Sequence, residues 1–221
     1  SPQAPGLDLA GSTAACRTVG GDYYDFLSFP DGRVGVLVGD VAGKGMPAAL
    51  MMSSLQARVQ VLFEECDDLA RSVSRLNKAI ATNCPDNRFI TFFICIIDPA
   101  TGVVTYSNAG HNPPLLVRRS GEVDTLKTGG IILGIMPRFT YQDDRVTMGP
   151  GDILVLFSDG VTEAARPDVD EEFGETRLAE VVRAHASEPA EEIVKAVLAA
   201  VAQFTQGAPA ADDITVVVAK R

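Results

Sequence analysis

The longest apolar runs in this chain are only strand-length, and no other feature of the sequence narrows the choice of folds so far. Phe92 to Ile97 and Ile153 to Phe157 are each bounded by polar residues, whereas a membrane-spanning helix needs about 20 apolar residues in a row. The strand signals come in groups. In the N-terminal third, Leu7 to Ala15, Tyr23 to Phe29 and Val34 to Val38 read as strands, the last two joined by a Pro30-Asp31-Gly32 turn. Phe89 to Ile97 and Val103 to Asn108 form a second hairpin around Asp98-Pro99-Ala100-Thr101-Gly102. Leu115 to Arg118, Arg145 to Met148, Ile153 to Phe157 and Ile214 to Ala219 supply further strands, with Pro150-Gly151-Asp152 turning ahead of Ile153.

Two pairs of helices interrupt these groups. Gly45-Met46-Pro47 opens the first, with Pro47 suited to a first turn and neither Gly nor Pro from Ala48 to Glu65. The second starts near Asp68 and carries Leu69, Val73, Leu76 and Ile80 on one stripe. The later pair covers Glu175 to Ala186 and Ala190 to Gln206, and the acidic, turn-rich stretch Ala165 to Glu172 reads as an exposed loop. This order does not alternate as a parallel βαβ protein would. It suits an α+β fold in which strands form two packed sheets with helix pairs on the outside.

The 221 residues, 46% of them hydrophobic, provide for one sizeable core, so residues 1–221 are read as a single domain. Ser1-Pro2-Gln3-Ala4-Pro5-Gly6 looks like the ragged start of a domain excised from a longer multidomain regulator, and no secretory leader opens the chain. Nineteen basic against 29 acidic side chains give a formal charge of −10. That argues against nucleic acid and against contact with an anionic membrane, both of which attract clustered Lys and Arg. Cys16, Cys66, Cys84 and Cys95 lack any Cys-x-x-Cys spacing and read as reduced, mostly buried thiols of a cytoplasmic protein.

The strongest local signal is where aspartates meet the apolar runs. Asp40 ends the run from Val34, Asp159 ends the run from Ile153, Asp212 and Asp213 precede Ile214 to Val218, and Asp22 follows Gly20-Gly21 at the start of a strand. Carboxylates on strand rims can project from rigid mounts into one cavity, and hard divalent cations such as Mg²⁺ and Mn²⁺ prefer such oxygen ligands. Two ions about 3.5–4 Å apart can activate a water and clamp a phosphoryl group. Asp-Gly at a strand end is also a common turn former, so each aspartate taken singly has a plain structural reading. Gly39 to Lys44 does not make a nucleotide-cradling P-loop, because only three residues separate its first two glycines and Gly45 stands where Ser or Thr should be.

Five blocks in order carry a family resemblance: Val19-Gly20-Gly21-Asp22-Tyr23-Tyr24-Asp25, Gly39-Asp40-Val41-Ala42-Gly43-Lys44-Gly45-Met46-Pro47-Ala48-Ala49, Asn108-Ala109-Gly110-His111-Asn112-Pro113-Pro114, Phe157-Ser158-Asp159-Gly160-Val161-Thr162-Glu163-Ala164 and Asp212-Asp213-Ile214-Thr215. Together they resemble the SpoIIE/RsbU-type branch of the PPM metal-dependent Ser/Thr protein phosphatases. The resemblance implies a four-layer α-β-β-α sandwich of two antiparallel sheets flanked by helix pairs. It also implies two divalent cations, Mn²⁺ or Mg²⁺, with Asp22 on one ion, Asp40 bridging both, the Val41 carbonyl as a further ligand, and Asp159 and Asp212 completing the second ion's shell. Asp213 is the less favoured member of its adjacent pair, and Asp25 is supporting. Asp40, Asp22 and Asp159 would carry catalysis through a water that bridges the cations.

The implied substrate is a phosphoserine or phosphothreonine on a STAS-type anti-sigma-factor antagonist, and relatives of this kind can form homodimers through an upstream sensor domain. The sequence departs from many eukaryotic members in having Val41-Ala42-Gly43-Lys44 where they carry a His after the bridging aspartate, so the leaving-group acid is unassigned. His111 reads as structural and Arg17 as a surface residue. A catalytically silent, phosphatase-like protein-binding module is the competing reading.

Overall fold

The apolar runs are continuous because the strands they form are covered on both faces. In the run that ends at Asp40, Val34, Val36 and Val38 face one apolar layer while Leu37 and Val41 face another. The same alternation splits the run before Asp159, with Leu154 and Leu156 on one side and Ile153, Val155 and Phe157 on the other. The structure, a computed structural model, describes residues 4–64, 66–83, 88–167 and 171–221.

Along the described residues the elements are β1 (Asp8–Ala14), β2 (Asp22–Ser28), β3 (Val34–Val41), α1 (Met46–Leu62), α2 (Leu69–Asn83), β4 (Ile90–Ile97), β5 (Val103–Ala109), β6 (Leu115–Val117), β7 (Val123–Thr125), β8 (Gly129–Gly130), β9 (Asp144–Thr147), β10 (Ile153–Phe157), α3 (Asp159–Thr162), α4 (Gly174–Ala184), α5 (Ala190–Phe204) and β11 (Ile214–Lys220). One sheet has the order β2-β3-β4-β5-β8, with β9 also pairing β5; the other has the order β1-β11-β10-β6-β7. The chain therefore changes sheets between β1 and β2.

Three apolar layers hold four structural layers together. Leu55, Val59, Val73, Leu76 and Ile80 of α1 and α2 pack on Leu37, Phe92 and Ile94. Leu178, Val182, Ile193 and Val197 of α4 and α5 pack on Val155, Phe157, Val216 and Val218. Between the sheets lie Val36, Val38, Phe93, Cys95, Leu154, Leu156 and Val217. This is the expected α+β sandwich, and among the described residues no helix is long and apolar enough to cross a membrane.

The expected elements are present with small changes of extent. The helix read as running to Glu65 ends at Leu62, and Cys84 lies outside the described residues, as do 168–170 of the expected loop. Three short elements, β7, β8 and α3, have no counterpart in the periodicity. The sheets were expected to be wholly antiparallel, but β8 pairs with β5 in parallel at Asn108↔Gly129 and Ala109↔Gly130. The parallel direction follows from the connection, because between β5 and β8 the chain crosses through β6 and β7 of the other sheet before it returns.

The inter-sheet layer gives a direct test of this arrangement. Leu156 is fully buried there, so Leu156→Ala is expected to lower unfolding free energy by about 3 kcal/mol. Urea denaturation measures it, and a loss under about 1 kcal/mol would show that the sheets do not close on each other at that point.

Candidate active site

The register of β3 decides where its terminal aspartate points. Side chains two apart share a face, so Asp40 takes the next place on the stripe Val34–Val36–Val38 and lies where the inter-sheet layer meets its rim. Asp22 is its direct cross-strand partner, so the two carboxylates share that face. Thr215 Oγ1 donates to Asp22 Oδ2 at 2.5 Å. Burial pushes the Asp22 carboxyl up to about 8, with the Asp40 charge adding to the shift. Burial also pushes Asp40 up to about 6, reinforced by the charges of Asp159, Asp212 and Asp213, while a hydrogen bond with Asp22 pulls the other way.

Asp159 opens α3 directly after β10, and burial followed by the charge of Asp212 raises its carboxyl above the ordinary range. Asp212 pairs with Lys44, whose Nζ lies 2.8 Å from Oδ2 and donates to the Ala211 carbonyl at 2.6 Å. Asp213 has a different set of partners. The backbone N–H groups of Cys16, Gly21 and Asp22 donate to its carboxylate at 2.8, 2.7 and 3.5 Å. Despite its burial these bonds hold the Asp213 carboxyl below the usual range. Its acceptor sites thus close the β1–β2 connection, where the chain first changes sheets. Gly20 is needed there, since a Cβ would come within 2.4 Å of Asp213 Oδ2.

Ser158 fastens Asp159 to the start of β11. Its Oγ donates to the Asp213 carbonyl at 3.1 Å and accepts the Thr215 N–H at 3.0 Å. At Gly160 a Cβ would approach the Asp213 carbonyl to 2.1 Å, so the close approach of α3 to β11 requires glycine.

The remaining sequence candidates fall as follows. Val41, the last residue of β3, donates its N–H to the Gly21 carbonyl at 3.4 Å. Asp25 turns away from the cluster, accepting from Tyr23 Oη at 2.7 Å and from Gln60 Nε2 of α1 at 2.8 Å; three positions from Asp22, it is on the opposite face of the strand. Arg17 is exposed, yet near enough to Lys44 for its charge to lower the Lys44 pKa against the dominant pull of Asp212. Cys16, Cys66 and Cys95 are free thiols, and only Cys16 is half-buried.

His111 is structural, in a definite way. Its Nε2 lies 3.0 Å from the Phe157 carbonyl, which can only accept, so Nε2 carries the proton and Nδ1 accepts from Thr91 Oγ1 at 2.8 Å. Thr91 is the cross-strand partner of Asp40, and Phe157 lies two residues before Asp159. The imidazole therefore joins the two sheets beside both aspartates. Burial pushes it down to about 4, so it stays neutral at ordinary pH.

Sequence reasoning missed Lys44 as the partner of Asp212 and Cys16 as a neighbour of the acids. The ligand atoms of Cys16, Asp212 and Asp213 all lie within 4.8 Å of one another, a grouping that joins residues almost 200 positions apart and leaves no trace in sequence. Among the described residues no ion pair reaches Asp22, Asp40 or Asp159. A partly buried set of hard oxygen donors with so little positive charge around it fits divalent cations.

Two outcomes follow from this geometry. An aspartate whose folded pKa is raised contributes stability that is complete below its unfolded value near 3.8 and is lost as pH rises through the folded value. In EDTA the melting temperature is therefore expected to fall by several degrees, roughly 5 °C, between pH 5 and pH 8.5. Asp22→Asn should flatten that decline, and a melting temperature that held level or rose in the parent would contradict the buried-acid account. His111→Ala removes the tie between the sheets and is expected to cost about 3 kcal/mol in urea denaturation.

Known proteins resemble this chain in sequence and in architecture. The phosphoserine phosphatase RsbU of Bacillus subtilis is 29% identical over 228 residues, covering 100% of this chain and 65% of the relative. Protein IcfG of Synechocystis is 32% identical over 234 residues, covering 93% of this chain and 36% of the relative. The chain thus spans less than two thirds of either. Among solved structures, the SiaA-PP2C domain of Pseudomonas aeruginosa superposes with a TM-score of 0.84 at 25% identity, covering 96% of this chain and 85% of that one. The family profile for stage II sporulation protein E matches residues 30–221, and the chain belongs to the SpoIIE family.

Proposed function

We propose that this chain is a divalent-cation-dependent phosphoprotein phosphatase acting on phosphoserine or phosphothreonine. The observation that carries the reading is the facing of Asp22 and Asp40 at the rim between the sheets, within the field of Asp159 and Asp212. Asp22 would hold one cation and Asp40 would bridge two, with the Val41 carbonyl, Asp159 and Asp212 completing the set. Asp213 is the weakest ligand candidate, because its carboxylate already accepts three backbone N–H groups. Mn²⁺ or Mg²⁺ held by these residues would supply a nucleophilic water at neutral pH and offset the charge of the phosphoryl oxygens.

The chain's own contribution is position and charge. Asp40 and Asp22 are mounted on paired strands, and Asp159 and Asp212 are fixed to each other through Ser158 and Thr215. Lys44 and Arg17 place two positive charges near an otherwise acidic mouth, which favours the approach of a phosphate. The substrate class follows the family resemblance: a phosphorylated STAS-type regulator in a cytoplasmic sigma-factor pathway. Likeness to a relative named phosphoserine phosphatase supports the phosphoserine part of this reading.

Hydrolysis of p-nitrophenyl phosphate with Mn²⁺ or Mg²⁺ tests the chemistry. The parent is expected to turn over only with cation present, and Asp40→Asn or Asp159→Asn should reduce turnover to background. Both variants should keep the fold and melt no lower than the parent in EDTA, because each removes a repelling charge. A folded parent with no cation-dependent turnover would favour the silent protein-binding module. A screen against phosphorylated STAS proteins then tests the substrate class.

A further inference from the structure

A cavity of about 460 Å³ opens beside the acid cluster and plays no part in the chemistry above. Its lining shares Asp212, Lys44 and Gly160 with the candidate active site. The rest of its lining is largely apolar, with Leu198, Val201 and Ala202 of α5 and Ile214 among its walls. Charged groups are confined to Lys44, Glu163 and Asp212, and Lys44 and Asp212 already pair with each other. An anionic ligand group would find its one cation, Lys44, already paired, and Glu163 is the only other charge in the lining, whereas an aliphatic or aromatic side chain would lose water against the apolar walls on entering. Alanines along the wall leave room for a side chain of that size.

We infer that this cavity is a specificity subsite that takes one apolar side chain of the phosphoprotein substrate, from within three residues of the phosphorylated serine. The inference rests on the phosphatase reading and adds a sequence preference to it. The occupant is set by continuity: a phosphate at the carboxylates brings its polypeptide past Asp212 and Gly160, which also border the cavity. An extended peptide advances about 3.3 Å per residue, so side chains one to three positions away reach the cavity and more distant ones do not. Burying a leucine there and leaving an alanine short of the wall differ by enough to set a preference of about tenfold in kcat/KM.

The test uses the 221-residue chain, saturating Mn²⁺ and acetylated heptapeptides with a central phosphoserine in an alanine background. One leucine is walked through each position on either side. The expected result is one register in which leucine raises kcat/KM about tenfold over alanine, mainly through KM. Ala202, exposed on α5 and lining the cavity, allows the cavity to be filled without disturbing the core. Ala202→Phe should abolish the leucine preference while leaving p-nitrophenyl phosphate turnover as in the parent. Leu198→Ala should instead shift the preference toward phenylalanine in the same register. Leucine effects under twofold in every register would overturn the subsite, as would a preference that survives Ala202→Phe. Failure of the parent on p-nitrophenyl phosphate would overturn the phosphatase reading itself and the subsite with it.

Discussion

Two carboxylates facing each other across a pair of hydrogen-bonded strands are an arrangement that a fold does not adopt without restraint. Asp22 and Asp40 are directly opposed and both partly withdrawn from water; burial raises the cost of ionising each, the Asp40 charge adds to it at Asp22, and the charges of Asp159, Asp212 and Asp213 add to it at Asp40. Left to local forces, the β2–β3 hairpin would fray at that end. It is held because β3 is also paired with β4 through Asp40↔Thr91 and Val41↔Ile90, so opening the end would break two ladders. The buried apolar faces on both sides of β3 add a larger penalty for any slip, since a one-residue shift would move Val34, Val36 and Val38 out of the inter-sheet layer.

The second restraint acts across the sheets. β1 and β2 are consecutive in the chain but belong to different sheets, and their connection passes the cluster at residues 15–21. Connections that change sheets lose regular backbone pairing, and their N–H groups need other acceptors. The Asp213 carboxylate provides them for Cys16, Gly21 and Asp22. His111 does the corresponding work on the other side, bonding to Thr91 in one sheet and to the Phe157 carbonyl in the other. The result is a rim where the two sheets are joined by polar contacts just as the apolar filling between them stops. Asp40 occupies the first polar place on that boundary.

Much of this was legible in the chain because burial on two faces leaves continuous apolar runs, and the aspartates interrupt those runs at their ends. Val34 to Val38 and Ile153 to Phe157 mark their strands whatever the tertiary context. The short elements were illegible for an equally physical reason. β8 is Gly129–Gly130, with no side chain to show a period, and its pairing to Asn108 and Ala109 depends on the backbone of a distant strand. The four-residue α3 is shorter than any periodic signal. Asp212 and Asp213 are adjacent and chemically identical, and their separate partners, Lys44 for one and three backbone N–H groups for the other, are fixed only when residues from both ends of the chain meet.

That last separation explains why a cluster of acids need not behave as a set. A carboxylate that accepts several N–H groups is stabilised as an anion, and its pKa falls; one whose burial and neighbouring charges outweigh its hydrogen bonds is destabilised as an anion, and its pKa rises. Asp213 belongs to the first kind and Asp22 and Asp40 to the second. Asp213 therefore strengthens the fold in its charged form, and the other two weaken it. A protein selected for stability alone would gain by replacing Asp22 or Asp40 with a neutral residue and would lose by replacing Asp213. Keeping two destabilising acids in register, on strands that are otherwise packed for rigidity, is physically sensible only if something positive is to be held between them.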